Sequence, residues 1–98
     1  MKIHVLDLAV EDLLEGYSFY ENQEQGVGTY FLDSLYSDIE SLILYAGIHQ
    51  VRHKGYRRML SKRFPFAIYY TVSRDETKVH AVIDCRKDPA WIRGRLNR

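Results

Sequence analysis

Residues 56–72 read YRRMLSKRFPFAIYYTV, and residues 79–89 read VHAVIDCRKDP. Both segments are rich in β-branched and aromatic residues, and they are interrupted at Phe64-Pro65 and again from Ser73 to Lys78. Such runs indicate three consecutive β-strands joined by tight connections. Because side chains alternate along a strand, we expect two sets to share a face each: Phe66, Ile68, Tyr70 and Val72 on the middle strand, and Val79, Ala81, Ile83 and Cys85 on the last.

These three strands predict an antiparallel sheet with one buried face, and the preceding residues predict the helices that cover it. Residues 2–6 read as a short strand. Apolar residues at helical spacing follow from Val10 to Tyr20, and a second amphipathic helix runs from about Gly28 to Ala46. The glycine-containing turn between them is short, so the two helices should form an antiparallel hairpin.

The C-terminal residues predict a last, short helix. Asp88 is suited to cap it, Pro89 to occupy its first position, and Trp91, Ile92 and Leu96 to pack inward. Residues 48–55 are predicted to be a basic connector. We therefore expect a single α+β domain over residues 1–98, in the order β-α-α-β-β-β, with a helical hairpin packed on an antiparallel sheet and a short C-terminal helix.

Charge is distributed unevenly along the chain. Residues 1–49 hold one Lys or Arg and nine Asp or Glu, whereas residues 50–98 hold thirteen Lys or Arg and four Asp or Glu. This polarity predicts that the C-terminal half meets an anionic or acidic partner. The plainer alternative is that the two halves neutralise each other.

Several classes of protein are disfavoured by composition. Cys85 is the only cysteine, so no intrachain disulfide can form, which suits a reducing compartment. No apolar run is long enough to span a membrane, and the N-terminus lacks the pattern of a signal peptide. We therefore expect a cytoplasmic protein without a membrane partner. The histidines show no metal-ligand spacing, so neither a metal nor another cofactor is expected.

Two segments carry a family resemblance. Residues 20–32 read YENQEQGVGTYFL, in which a tyrosine–glutamate pair leads into Gly-x-Gly-x-x-Phe. Residues 58–70 include Phe-Pro-Phe-x-Ile-Tyr-Tyr, and an arginine, a basic residue and Asp-Pro follow at residues 86–89. In this order the motifs resemble those of the RelE/ParE superfamily of bacterial type II toxins, in its ParE-like, plasmid-stabilisation branch. Residues 46–48 depart from the pattern, because such sequences usually place a proline there.

The resemblance implies a toxin that inhibits growth and is neutralised by a cognate antitoxin, in a toxin–antitoxin hetero-oligomer. It also implies two alternative activities. ParE-like members poison DNA gyrase, whereas RelE-like members cut messenger RNA in the ribosomal A site.

The sequence contains few of the catalytic groups that the ribonuclease alternative needs. Ala67 stands where the resemblance implies an arginine, and Trp91 stands where it implies a tyrosine. Alternation places His80, Asp84 and Arg86 on one face of the last strand, where they could form an improvised ribonuclease site. Cross-strand hydrogen bonds and ion pairs are the preferred explanation of these residues. The candidates for this alternative are Arg57, Arg58, Lys62, His80 and Arg86.

Binding is therefore the preferred activity, with DNA gyrase as the expected target; an inactive homologue that binds only its antitoxin stays open as a third alternative. Two basic segments could make the contacts. The expected target-binding residues are Arg86, Lys87, Trp91, Arg93 and Arg95. The expected antitoxin-binding residues are Arg58, Lys62 and Arg63. Cys85 is expected to be a small buried apolar residue rather than a nucleophile.

Overall fold

The structure, a computed structural model, describes residues 2–48 and 51–97. It confirms the predicted α+β architecture: a strand, a helical hairpin, further strands and a short last helix. The elements are β1 (Lys2–Val5), α1 (Asp7–Gln23), α2 (Val27–Glu40), α3 (Leu42–Tyr45), a 3₁₀ turn (Ala46–Ile48), β2 (Val51–His53), β3 (Tyr56–Leu60), β4 (Phe66–Ser73), β5 (Glu76–Asp84) and α4 (Pro89–Leu96).

The described strands form one sheet in the order β1-β5-β4-β3-β2. The pairs β2–β3, β3–β4 and β4–β5 are antiparallel, whereas β1 runs parallel to β5, with Lys2 beside Glu76 and Val5 beside Val79. The N-terminal strand therefore lies at one edge of the sheet, beside the last strand of the chain.

Two predicted connections are shorter than the sequence suggested. Part of the basic connector is strand β2, which turns into β3 through Lys54 and Gly55, with φ of 48° and 84°. Positive φ at both central residues is the geometry of a type I′ hairpin, which is usually signalled by Asn-Gly rather than Lys-Gly. The predicted break from Ser73 to Lys78 is likewise only a two-residue turn at Arg74 and Asp75, so its other residues extend β4 and β5.

Both faces of the sheet are covered, so the prediction of one buried face is wrong. Helices α1 and α2 pack on one face, around Leu13, Phe31 and Leu35. Helix α4 covers part of the other face, where a smaller cluster is built from Ala67, Tyr69, Ala81, Ile83 and Leu96, with Ile92 against it. We call these the hairpin face and the α4 face. Of the residues expected to pack inward from α4, Trp91 does not, since it is 45% exposed.

A β-bulge at His80 explains why the last strand does not follow simple alternation. Tyr69 pairs with Ala81 and Tyr70 with Val79, so His80 is an extra residue in β5. The bulge changes the phase of the strand: Val79 and Val82 join the hairpin-face core, whereas Ala81 and Ile83 lie under α4. The predicted shared face of Val79, Ala81, Ile83 and Cys85 is therefore wrong. Cys85 lies beyond the strand end and is exposed, not buried.

The tyrosine–glutamate and glycine motif builds the turn of the helical hairpin. The Glu21 carboxylate accepts the N–H of Gly26 at 3.0 Å and that of Gly28 at 2.9 Å, which satisfies donors at the start of α2. Gly28 is required by the close approach of the two helices, because a Cβ there would lie 2.7 Å from the Tyr17 carbonyl oxygen. The motif is therefore a structural one that fixes how α1 and α2 meet.

Candidate functional site

The end of β5 holds a tight arginine–carboxylate pair. Arg86 donates to Asp84 from its backbone N–H at 2.8 Å, from Nε at 2.9 Å and from Nη2 at 2.7 Å. The two side-chain bonds form a bidentate pair. The hydrogen bond from Arg86 holds the pKa of Asp84 below its ordinary value, and the same contact raises the pKa of Arg86. Arg86 is thus exposed, but the Asp84 carboxylate in the same turn neutralises most of its charge.

Beyond this turn, the start of α4 presents an exposed cation and an aromatic ring. The Asp88 carboxylate accepts the Ala90 N–H at 2.8 Å, which caps the helix as predicted. Lys87 Nζ lies 4.7 Å from the centroid of the Trp91 ring, within cation–π range. Arg93 is also exposed, and at two residues from Trp91 it lies on the opposite flank of the helix.

Arg95 differs in its role from the other residues that were predicted to bind the target. It is 7% exposed, and its Nη2 lies 2.7 Å from Asp12 Oδ2 and 3.4 Å from the His80 carbonyl oxygen. Asp12 Oδ2 also accepts the Val82 N–H at 3.0 Å. Arg95 therefore does not fit an exposed binding surface. Instead, the Asp12–Arg95 pair links α1 to α4 around the outer edge of β5.

This bridge joins a buried arginine to a largely buried carboxylate. The side chains of Asp12 and Arg95 are 14% and 7% exposed. Burial raises the pKa of Asp12, more than the Val82 N–H and the Arg95 charge lower it. The desolvation cost of the carboxylate is thus offset only in part, and the site depends on both partners being present.

The arginines of β3 are divided between the two faces of the sheet. Met59 packs in the hairpin-face core and Tyr56 under α4, which fixes the alternation. Arg57 accordingly lies on the hairpin face, where its Nη1 donates to the Gly47 carbonyl at 3.4 Å. Arg58 lies on the α4 face, beside Tyr69 in the register of the sheet. The two cannot act together on one phosphate.

The loop after β3 presents Lys62 and Arg63, which are both exposed. It is held by Asp38 of α2, a buried residue whose Oδ2 accepts Ser61 Oγ–H at 2.7 Å and the Lys62 N–H at 3.3 Å. Sequence reasoning did not single out Asp38. The available signal was a carboxylate at helical spacing from Leu35, within the apolar stripe of α2.

His80 is not placed beside the other candidates for ribonuclease chemistry. Its Nε2 lies 2.9 Å from Thr71 Oγ1, and its ring meets the edge of Tyr56 at 5.0 Å, on the α4 face. Desolvation lowers the pKa of His80, so the neutral form is favoured. Strand β5 ends at Asp84, about 13 Å from His80 along extended backbone, and Arg86 follows in the turn beyond it. The predicted shared face of His80, Asp84 and Arg86 is therefore not formed.

Ala67 lies buried under α4. Among residues 2–48 and 51–97, no group of three or more His, Cys, Asp or Glu side chains is arranged to hold a metal ion.

No helix in the described part of the chain combines the length and apolarity needed to cross a membrane.

Comparison with known proteins gives a structural relationship without a sequence relationship. No family model and no curated protein matches the sequence. Among solved structures, the chain is similar to a chain of the chromosomal ParDE TA system from P. aeruginosa, with a TM-score of 0.77 and 17% sequence identity. The match covers 86% of this chain and 95% of that chain. The chain therefore shares the fold of that chain of the ParDE TA system.

Proposed function

We propose that this chain is the toxin of a type II toxin–antitoxin system and that it arrests growth by binding DNA gyrase in the cytoplasm. The observation that carries the proposal is the likeness, across 86% of the chain, to a chain of a ParDE TA system. A shared fold does not identify the binding residues, so the surfaces that would contact a target and an antitoxin are inferred from the exposed side chains.

The arrangement of the candidate residues supports binding over chemistry. Metal-free RNA cleavage needs a base and cations gathered around one phosphate. Here His80 is engaged with Thr71, Arg86 with Asp84, and Arg57 lies on the face opposite Arg58. The described residues therefore offer no position at which these groups converge.

Two basic surfaces remain for partners, and their residues are exposed except Arg58, which is half-buried. The surface around α4, which we propose to contact gyrase, comprises Arg86, Lys87, Trp91 and Arg93. The surface on β3 and the following loop, which we propose to meet acidic residues of the antitoxin, comprises Arg58, Lys62 and Arg63. Both lie in the half of the chain that carries the excess of positive charge.

The test is induced expression in a bacterial host, with pulse-labelling of DNA and protein synthesis, followed by supercoiling assays with purified gyrase. The chain should stop DNA synthesis first. The double variant Lys87→Glu/Arg93→Glu should lose this effect, because it reverses two exposed charges of the α4 surface. The matched control Arg52→Glu/Lys54→Glu makes the same change in net charge near β2, at the other edge of the sheet, and should keep it.

Other outcomes would select the alternatives. Early arrest of translation with cut messages would replace the gyrase proposal with ribosome-dependent cleavage. Unchanged cleavage by a His80→Ala/Arg86→Ala variant would then exclude those two residues from the chemistry. Absence of any growth defect would favour an inactive homologue that only binds its antitoxin.

A further inference from the structure

A groove runs along one flank of α1, between that helix and the outer edge of β5. Strand β1 pairs with β5 only as far as Val79, so residues 80–84 have no strand beside them at this edge within the described chain. Helix α4 forms the opposite wall of the groove. The Asp12–Arg95 bridge crosses it and divides it in two.

The groove contains two cavities, one on each side of the bridge. The larger, of about 290 Å³, has Val82 in its lining and the exposed rings of Phe19 and Trp91 as walls. The smaller, of about 220 Å³, is lined by Leu8 and Leu96 among others. Asp12 contributes to the first cavity and Arg95 to the second. Each cavity is large enough to admit one large apolar side chain and is open to solvent at the groove.

The spacing of the cavities suits an extended peptide. Their lining residues on α1 are centred about eight residues apart, which is roughly 12–13 Å along a helix that rises 1.5 Å per residue. Four residues of extended chain span about 13 Å. Residues i and i+4 of an extended chain also point to the same side, so both could enter the cavities while residue i+2 faces the bridge.

The charge of the groove indicates which kind of peptide it would bind. Asp7, Glu11 and Glu15 are exposed and spaced four residues apart, so they form one acidic line along α1. Asp7 lines the smaller cavity and Glu15 the larger. None of the three forms an ion pair with another described residue, whereas Asp12 and Asp84 are matched by arginines. Lys87 lines the larger cavity and offsets one of these three charges, so the uncompensated charge along the groove remains negative.

We propose that this groove binds an extended, basic segment of a partner protein. Two apolar side chains four residues apart occupy the cavities, and Lys or Arg side chains between and beside them face the acidic line of α1. This surface is separate from the basic residues assigned to gyrase and antitoxin contact, apart from Lys87 and Trp91 at its end. The inference does not depend on the toxin function, because it rests only on the shape and charge of the groove.

The experiment selects ligands without assuming a natural partner. A displayed library of random 12-residue peptides is enriched on the purified full chain, and the dominant peptide is synthesised with a fluorophore and titrated by anisotropy. Enriched peptides should carry a net positive charge and two large apolar residues at i and i+4. Binding of the synthetic peptide should weaken at least tenfold for Glu15→Lys and for Phe19→Ala.

Two matched control variants test whether peptide binding is specific to the groove. Glu40→Lys makes the same charge reversal on α2, and Leu44→Ala truncates an apolar side chain on α3 that is 76% exposed; both should bind like the unaltered chain. All four changed residues are exposed, and circular dichroism verifies that each variant is folded. Failure to enrich any peptide, enrichment of acidic peptides, or equal binding to groove and control variants would each overturn the proposal. None of these results bears on growth arrest, so the two proposals fail separately.

Discussion

Replacing Arg95 by methionine should reveal how much the fold depends on the bridge between α1 and α4. Methionine keeps most of the apolar volume of the arginine stem while removing the charge. Asp12, whose side chain is 14% exposed in the unaltered chain, would then keep the hydrogen bond from the Val82 N–H. A buried carboxylate without its cation costs about 3–5 kcal/mol, so we expect a loss near 3 kcal/mol for this incompletely buried pair.

A loss of this size is large for a domain of 98 residues. Domains in this range are stable by about 5–15 kcal/mol, and 1 kcal/mol shifts the Tm by roughly 4–8 °C. Urea denaturation followed by circular dichroism would measure it at neutral pH. Because burial already raises the pKa of Asp12, and removal of Arg95 raises it further, protonation should relieve the defect. The difference between variant and unaltered chain should therefore shrink as the pH falls.

A double-mutant cycle shows whether the loss comes from the pair. Asp12→Asn removes the charge but keeps an oxygen for the Val82 N–H. The double variant Asp12→Asn/Arg95→Met should then cost clearly less than the sum of the two single changes, with a coupling of about 1–3 kcal/mol. Arg93→Met, on the exposed flank of the same helix, should stay within about 0.5 kcal/mol. Additive costs, or equal losses from Arg93→Met and Arg95→Met, would refute the assignment.

Three further predictions follow from packing and titration. Gly28→Ala places a Cβ 2.7 Å from the Tyr17 carbonyl oxygen and should cost about 1–3 kcal/mol in urea denaturation, whereas Gly94→Ala, with open space around it in α4, should stabilise by about 0.5–1 kcal/mol. Since desolvation lowers the pKa of His80, the unfolded chain takes up its proton first; unfolding free energy should fall as the pH drops below 6.5, with a smaller fall in His80→Asn. Asp38→Ala removes the acceptor that holds the loop after β3 and should cost about 1–3 kcal/mol, with faster amide exchange in that loop; unchanged exchange would contradict this role.

The sequence was informative where structure follows from local patterns. Helical spacing located both long helices, although the second, predicted to run to about Ala46, ends at Glu40 and is followed by the short helix α3. Residues 24–28 marked the turn between the long helices, because glycine geometry and helix packing leave a strong local signal. Asp88 and Pro89 placed the start of α4 for the same reason. The fold class followed from the order of these elements and from the alternating strands.

The features that escaped prediction depend on contacts between distant residues. Nothing near His80 indicates that one residue of β5 is extra, and that single insertion decides which side chains face α4. The sequence suggested that Arg95 is another exposed cation, because its partner, Asp12, lies on a helix that is distant in the sequence. For the site, the sequence indicated the basic segment that contains Lys87, but it predicted that Trp91 packs inward and could not show which charges are already paired inside the fold.

The parallel pairing of β1 with β5 imposes an order on how the molecule forms during synthesis. Lys2 lies beside Glu76 and Asp12 meets Arg95, so residues of β1 and α1 must wait for partners that are synthesised much later. At about 5–20 residues per second, translation from β1 to β5 takes on the order of 4–15 seconds. The helical hairpin, whose contacts are local, can assemble in that interval, whereas the edge formed by β1 and β5 cannot. The surfaces built on β5 and α4 therefore form after translation has passed Arg95.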